Sequence, residues 1–153
     1  MSIDDLIAFT AAEFHAALIT PFFIDFTHRI LIEGYSLNSS MKAMLSATSQ
    51  THLARHTSVV HMQLEAETST VGSTLYVFAH PKWRPWGNRL PIACPICASP
   101  HSWSDVIKKG STYSYVCRRE GCSGWCSFPK PEGFEICTPE ANGGRWLKKA
   151  YDI

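Results

Sequence analysis

Residues 94–122 read CPICASPHSWSDVIKKGSTYSYVCRREGC, and the cysteines in that stretch decide how the second half of the chain folds. Cys94 and Cys97 stand two residues apart, Cys97 and Cys117 nineteen, and Cys117 and Cys122 four. A two-residue gap lets both sulfurs of a tight turn face one ion while the intervening amides stabilise the thiolates. Zinc accepts four such thiolates as a tetrahedron with Zn–S near ~2.3 Å. The spacing predicts two cysteine knuckles around one structural Zn2+, held by Cys94, Cys97, Cys117 and Cys122. Between the knuckles, Val106-Ile107 reads as strand, Lys108-Lys109-Gly110 as turn, and Tyr113 to Cys117 as strand. Tyr113 and Tyr115 share one face of that strand and Val116 takes the other. The second knuckle has two solutions, because Cys126 follows Cys122 and Gly121 and Gly124 leave the backbone free for either.

On these four cysteines, residues 92–128 resemble a zinc ribbon, the small antiparallel module in which two cysteine turns close on a structural zinc. The resemblance covers about a quarter of the chain. It implies a rigid finger, often found in proteins that handle nucleic acid or in enzymes that need such a support. One departure is Ala98 after the first knuckle, where many ribbons carry glycine, so a less regular turn is expected there. His101, four residues past Cys97, could replace a thiolate, but a place at the surface or just outside the ligands is the simpler expectation, and Cys137 is expected as a spare buried thiol unless it bonds Cys126.

Outward from this stretch, the 153-residue chain divides sharply near residue 73. Residues 1–73 carry three basic and seven acidic side chains, a net of −4, and residues 74–153 eleven and six, a net of +5. All six Cys and all five Trp lie in the second part. With 45% apolar and 18% charged residues the chain is expected to fold. Neither part, however, is large enough for an ample core alone. No apolar run reaches the ~20 residues of a membrane span, and Met-Ser-Ile-Asp-Asp does not read as a secretory signal. The expected location is intracellular, nuclear or cytoplasmic, without membrane association, where cysteines hold metal more often than disulfides.

The first part reads as helical. Ser2 is placed to cap a helix with Asp5 three residues on, and Ile3, Ile7, Ala11, Phe14 and Leu18 recur at helical spacing. Thr20-Pro21 predicts a stop and restart. Phe22, Phe26 and Ile30 form a second stripe ending at Gly34, and Asn38 or Ser39 caps a third segment with Met41, Met44, Leu45 and Thr48 on one face. Residues 52–66 fit either a helix or a strand, with the strand favoured, and Gly72 is expected to turn the chain into the strand Thr74–Ala79. Pro81, Pro85 and Pro91 then force an irregular connector.

The predicted class is α+β. Residues 1–73 form a helical region ending in a possible strand, and 74–91 a strand and Pro/Trp-rich connector. Residues 92–137 form the ribbon-like module, and 138–153 an irregular basic tail.

His52 and His56 stand one helical turn apart and could share a metal with Glu65, but solvent-facing histidines are the simpler expectation. There is no His-Glu-x-x-His, nucleophile elbow, phosphate loop or dinucleotide fingerprint. A four-thiolate zinc has no open coordination position, so the expected role is structural and no catalytic role is expected. Lys82, Trp83, Arg84, Trp86 and Arg89 interleave cations with rings, and Lys108, Lys109, Arg118 and Arg119 add paired charge, with Lys148 and Lys149 near the C-terminus. Cations neutralise phosphates and exposed rings stack on bases. Nucleic-acid contact through Lys82, Arg84, Lys108, Lys109, Arg118 and Arg119 is the function expected, with Trp103 and Trp125 packed beside the knuckles. The alternatives are protein interaction or self-association through the Phe-rich helical face, or a terminal piece of a larger enzyme.

Overall fold

The structure, a computed structural model, describes residues 4–11, 15–47, 51–65 and 70–152. The fold is α+β, with two small antiparallel sheets and helices concentrated in the N-terminal half. The chain forms two compact units: residues 1–78 with 133–153, and residues 79–132.

The first unit is built on a five-stranded sheet whose strands run in the order β1 (Asp5–Phe9), β2 (Val59–Glu65), β3 (Thr70–Ala79), β8 (Arg145–Asp152) and β7 (Glu135–Ile136). Strand β1 (Asp5–Phe9) pairs antiparallel with β2 (Val59–Glu65), setting Ile7 opposite His61 and Phe9 opposite Val59. A strand here replaces the helix expected from Ile7, Ala11 and Leu18; Ser2, Ile3 and Phe14 lie outside the described residues. Ile7 and Phe9 fit a period of two as well as Ile7 fits a period of four, and pairing with a distant segment decides between them. At the strand's start, Asp5 Oδ1 lies 2.7 Å from Nε2 of the buried His61.

Helix α1 (Ala16–Phe26) runs straight through Pro21, where a stop was expected. Proline's φ suits a helix, and the ring forfeits one hydrogen bond. Beside it, the Thr20 hydroxyl donates to the Ala16 carbonyl at 2.8 Å. The helix continues into a π-helical turn, Thr27–Ile32, and ends at Gly34, whose φ of 75° matches the expected stop. Ile19 and Phe22 are its buried residues. Phe9 meets Phe22 edge to face at 5.7 Å, tying helix to sheet.

Helix α2 (Leu37–Ser46) is capped by Ser36, not by Asn38 or Ser39: the Ser36 hydroxyl accepts from the Ser39 amide at 3.3 Å. Met41, Met44 and Leu45 are buried, as the stripe predicts, with Leu37 buried ahead of them, and Thr48 lies outside the described residues. The ambiguous stretch resolves into both readings in turn, helix α3 (Thr51–His56) and then β2. Gly72 is not a turn. It pairs with Gln63 inside β3 (Thr70–Ala79), and the connection between the strands falls in residues 66–69, outside the described set.

The irregular tail expected for 138–153 is largely strand. β7 (Glu135–Ile136) pairs antiparallel with β8 (Arg145–Asp152). The amides of Cys137 and Thr138 both donate to the Trp146 carbonyl, at 2.9 and 3.3 Å, a local bulge. Trp146 and Leu147 are fully buried, and Trp146 packs edge to face on Phe78 at 5.5 Å. Burial of this apolar pair holds the basic segment in the sheet.

The second unit holds a three-stranded antiparallel sheet of order β4-β5-β6: Ile107–Lys109, Thr112–Val116 and Trp125–Pro129. The hairpin turn falls at Gly110-Ser111 rather than at 108–110, because Gly110 adopts a left-handed φ of 56°. Such a turn position suits glycine, which has no Cβ to clash there.

Candidate metal centre

Two turns bring the four cysteines together. In the first, the Ala98 amide donates to the Cys94 carbonyl at 2.8 Å, closing Cys94-Pro95-Ile96-Cys97 into a knuckle. That closure holds Ala98 at a φ of 54°. Glycine occupies this left-handed region without cost, whereas an alanine Cβ crowds the carbonyl. The irregularity expected at this departure from the ribbon pattern is thus a backbone strain. In the second turn the Cys122 amide donates to the Arg119 carbonyl at 3.0 Å, with Gly121 at a φ of 74°.

The Sγ atoms of Cys94, Cys97, Cys117 and Cys122 all lie within 4.8 Å of one another. Cys94 and Cys122 are 3.8 Å apart at sulfur, and Cys97 and Cys117 3.7 Å. Sulfurs about 2.3 Å from a central zinc form a tetrahedron with edges of about 3.8 Å. A disulfide would need an S–S separation of about 2.05 Å. All six cysteines are free thiols. Donor set and spacing therefore fit one metal ion held by four thiolates.

The surroundings reinforce that fit. Ser102 Oγ is 3.2 Å from Cys117 Sγ, and the Gly124 amide donates to Cys122 Sγ at 3.3 Å. A side chain on Gly124 would collide with Cys94 Sγ and come within 3.3 Å of Cys122 Sγ. This position therefore needs its bare backbone to approach the sulfurs. The Ser102 hydroxyl and the Arg119 amide lower the Cys117 thiol to about 6. Cys122 moves to about 12: the Gly124 amide draws it down, but burial and the neighbouring thiols push it up further. Four sulfurs this close cannot all carry charge unless a cation joins them.

Cys126 is not one of the four. It lies on β6 opposite Tyr115, its thiol raised by burial and by the nearby Cys94. Cys137 sits in the first unit as a half-buried free thiol, likewise raised by burial. His101 is exposed. His52 and His56 lie on α3, where His56 meets the ring of His15, while His61 pairs with Asp5. Among the described residues the cysteine group is the one metal-competent cluster.

The sheet has two different faces. On one, Tyr115 is buried, donates its hydroxyl to the Pro81 carbonyl and meets Phe128 edge to face, while Tyr113 stacks on Trp86 at 4.9 Å. Trp86 covers this face, its Nε1 donating to the Ser111 carbonyl at 2.8 Å, while Trp83 stacks on His80 within the connector at 4.6 Å. Arg84, expected to contact nucleic acid, is instead buried and donates to the Gly87 carbonyl; burial lowers its guanidinium to about 10. Lys82, Lys108, Lys109, Arg118 and Arg119 are exposed. Arg118 lies 3.4 Å from Asp105, and Arg119 donates to the Cys97 carbonyl at 3.2 Å.

The opposite face carries Ile107, Lys109, Thr112, Ser114, Val116, Trp125, Ser127 and Pro129 by register. Trp125, expected to pack beside the knuckle, is 66% exposed on it. Strand alternation is the signal that could have found this: Tyr115 and Phe128 face the covered side, so Val116 and Trp125 must face away. Trp103 is half-buried, its Nε1 donating to the Pro91 carbonyl at 2.7 Å.

Comparison of the chain with protein-family models, with curated proteins and with solved structures finds no match. No helix among the described residues is long and apolar enough to cross a membrane.

Proposed function

We infer that the chain is a non-catalytic zinc-binding protein whose cysteine module contacts nucleic acid. The observation that supports zinc is the sulfur group itself, four thiols with edges of 3.7 and 3.8 Å. A four-sulfur tetrahedral site suits zinc or iron, and a lone redox-inert crosslink between two turns is the task zinc serves. When bound, the ion ties the knuckles together and neutralises the thiolates. Cys94, Cys97, Cys117 and Cys122 would hold it, and Gly124 and Ser102 would orient the sulfurs.

The nucleic-acid reading rests on charge. Residues 79–132 carry eight basic and three acidic side chains, against six and ten in the rest of the chain. Among the cations, Lys82, Lys108, Lys109, Arg118 and Arg119 are exposed, where phosphates can reach them. Titration of labelled oligonucleotides with the full chain tests the reading. The expected result is binding at low salt, with log K falling linearly against log salt; no binding at low salt removes it.

A second reading, protein interaction or self-association, is favoured by one observation. Phe23, Ile24, Leu31 and Ile32 are exposed along α1 and its π-helical turn, as is Tyr35 just beyond it. Phe23, Ile24 and Ile32, with Ile19, line a hollow of 520 Å³. Contiguous apolar surface of this kind marks a contact site more often than a solvated face. Sedimentation over a range of concentrations, with Ile24→Glu as the disrupting variant, tests it. A chain that stays monomeric at every concentration argues against self-association.

A further inference from the structure

We propose that the open face of the three-stranded sheet is a platform for an unpaired nucleic-acid strand, on which Trp125 stacks a base. The proposal deepens the nucleic-acid reading above and rests on it.

The two faces of this sheet differ in a way folding does not require. One is sealed by Trp86, Tyr113, Tyr115 and Phe128. The other leaves Trp125 at 66%, Ile107 at 46% and Val116 at 43% exposure. Val116 and Trp125 are directly paired across β5 and β6. The indole thus stands beside a β-branched side chain that limits its motion. A tryptophan left mostly in water forgoes the large burial its ring could supply, and this one lies on the uncovered side.

What surrounds it identifies the occupant. Lys109 lies on the same face, opposite Thr112, and two residues past Val116 the exposed Arg118 follows the strand's end, its guanidinium 3.4 Å from Asp105. Thr112, Ser114 and Ser127 supply hydroxyls between Lys109 and Trp125. The face thus combines a flat ring, short polar side chains and a lysine at the end away from the ring, in a unit of net charge +5 (eight basic against three acidic residues). An unpaired strand offers the complement, π-faces for the ring and phosphates for the cations. A duplex presents phosphates but hides its base faces within the stack, so the ring would gain nothing from it.

The test is fluorescence anisotropy of labelled oligothymidylate, of its duplex with oligoadenylate, and of polyglutamate, using the full zinc-loaded chain. The strand is expected to bind about tenfold or more tightly than the duplex. Trp125→Ala should weaken strand binding roughly 5- to 150-fold, the equivalent of one base–ring stack, and leave duplex binding nearly unchanged. Trp125→Phe should retain most of the affinity, and unchanged metal content in each variant shows that the module is folded. Lys109→Gln and Arg118→Gln should weaken strand and duplex alike and flatten the salt dependence. If duplex binds as well as strand, or Trp125→Ala binds the strand as tightly as the parent, the platform is wrong while nucleic-acid contact stands. Polyglutamate binding with the same dependence on Trp125 would replace the strand by an acidic polypeptide. Absence of binding to any nucleic acid at low salt overturns both.

Discussion

The two compact units solve the same problem by different means. Among the described residues, the largest fully buried side chains in the first unit are Trp146, Phe22, Met41, Met44, Leu45, Leu53, Leu147, Val59 and Thr57. The second unit contributes Tyr115 and Pro85. The first has an apolar core drawn from three helices and the sheet; the second has one aromatic layer and four converging sulfurs. A module of this size cannot bury enough apolar surface to offset its chain entropy, and a metal crosslink is one of the few substitutes available.

That contrast can be broken. Removing the metal with a strong chelator, or replacing Cys94 with serine, should withdraw an apparent stabilisation of roughly 10–16 kcal/mol from the second unit. Hydrogen exchange followed by mass spectrometry should show residues 92–128 losing protection while α2, β2 and β3 keep theirs. Equal loss in both units would mean that the first depends on the second. The reciprocal change is Trp146→Ala, which empties a buried site in the first unit and should cost about 3–5 kcal/mol there. Denaturant melts should shift accordingly while metal content is retained. Ala98→Gly sharpens the comparison: relieving the left-handed strain at the first knuckle should stabilise the second unit by up to ~1 kcal/mol and leave the first unchanged. A destabilised module would mean that Ala98 bears no strain.

How much of this was legible beforehand follows the same division. The cysteine cluster was readable because cysteine spacing is a local signal: a two-residue gap closes a knuckle whatever the rest of the chain does. The α+β class and the buried face of Met41, Met44 and Leu45 were readable for a related reason, since helical periodicity is written within one element. The choice of Cys122 over Cys126 was not. It depends on β6 beginning at Trp125, which draws Cys126 into strand pairing opposite Tyr115. β1 and β8 were missed because their partners lie far away in sequence. Ile7 and Phe9 become a strand by pairing with Val59–Glu65, and Trp146-Leu147 breaks alternation because both residues are buried. Arg84 and Trp125 were exchanged in role because composition says only that cations and rings are present: the connector's own turn buries Arg84 against the Gly87 carbonyl, and sheet register turns Trp125 to water.

The cysteine centre is tested most directly by X-ray absorption at the zinc edge on purified protein, with the metal quantified per chain. The expected result is one zinc per chain, surrounded by four sulfur scatterers at about 2.3 Å, and loss of the signal in the Cys94→Ser, Cys117→Ser double variant. A chain purified without metal and unable to take it up, or a coordination shell dominated by nitrogen or oxygen, would contradict it.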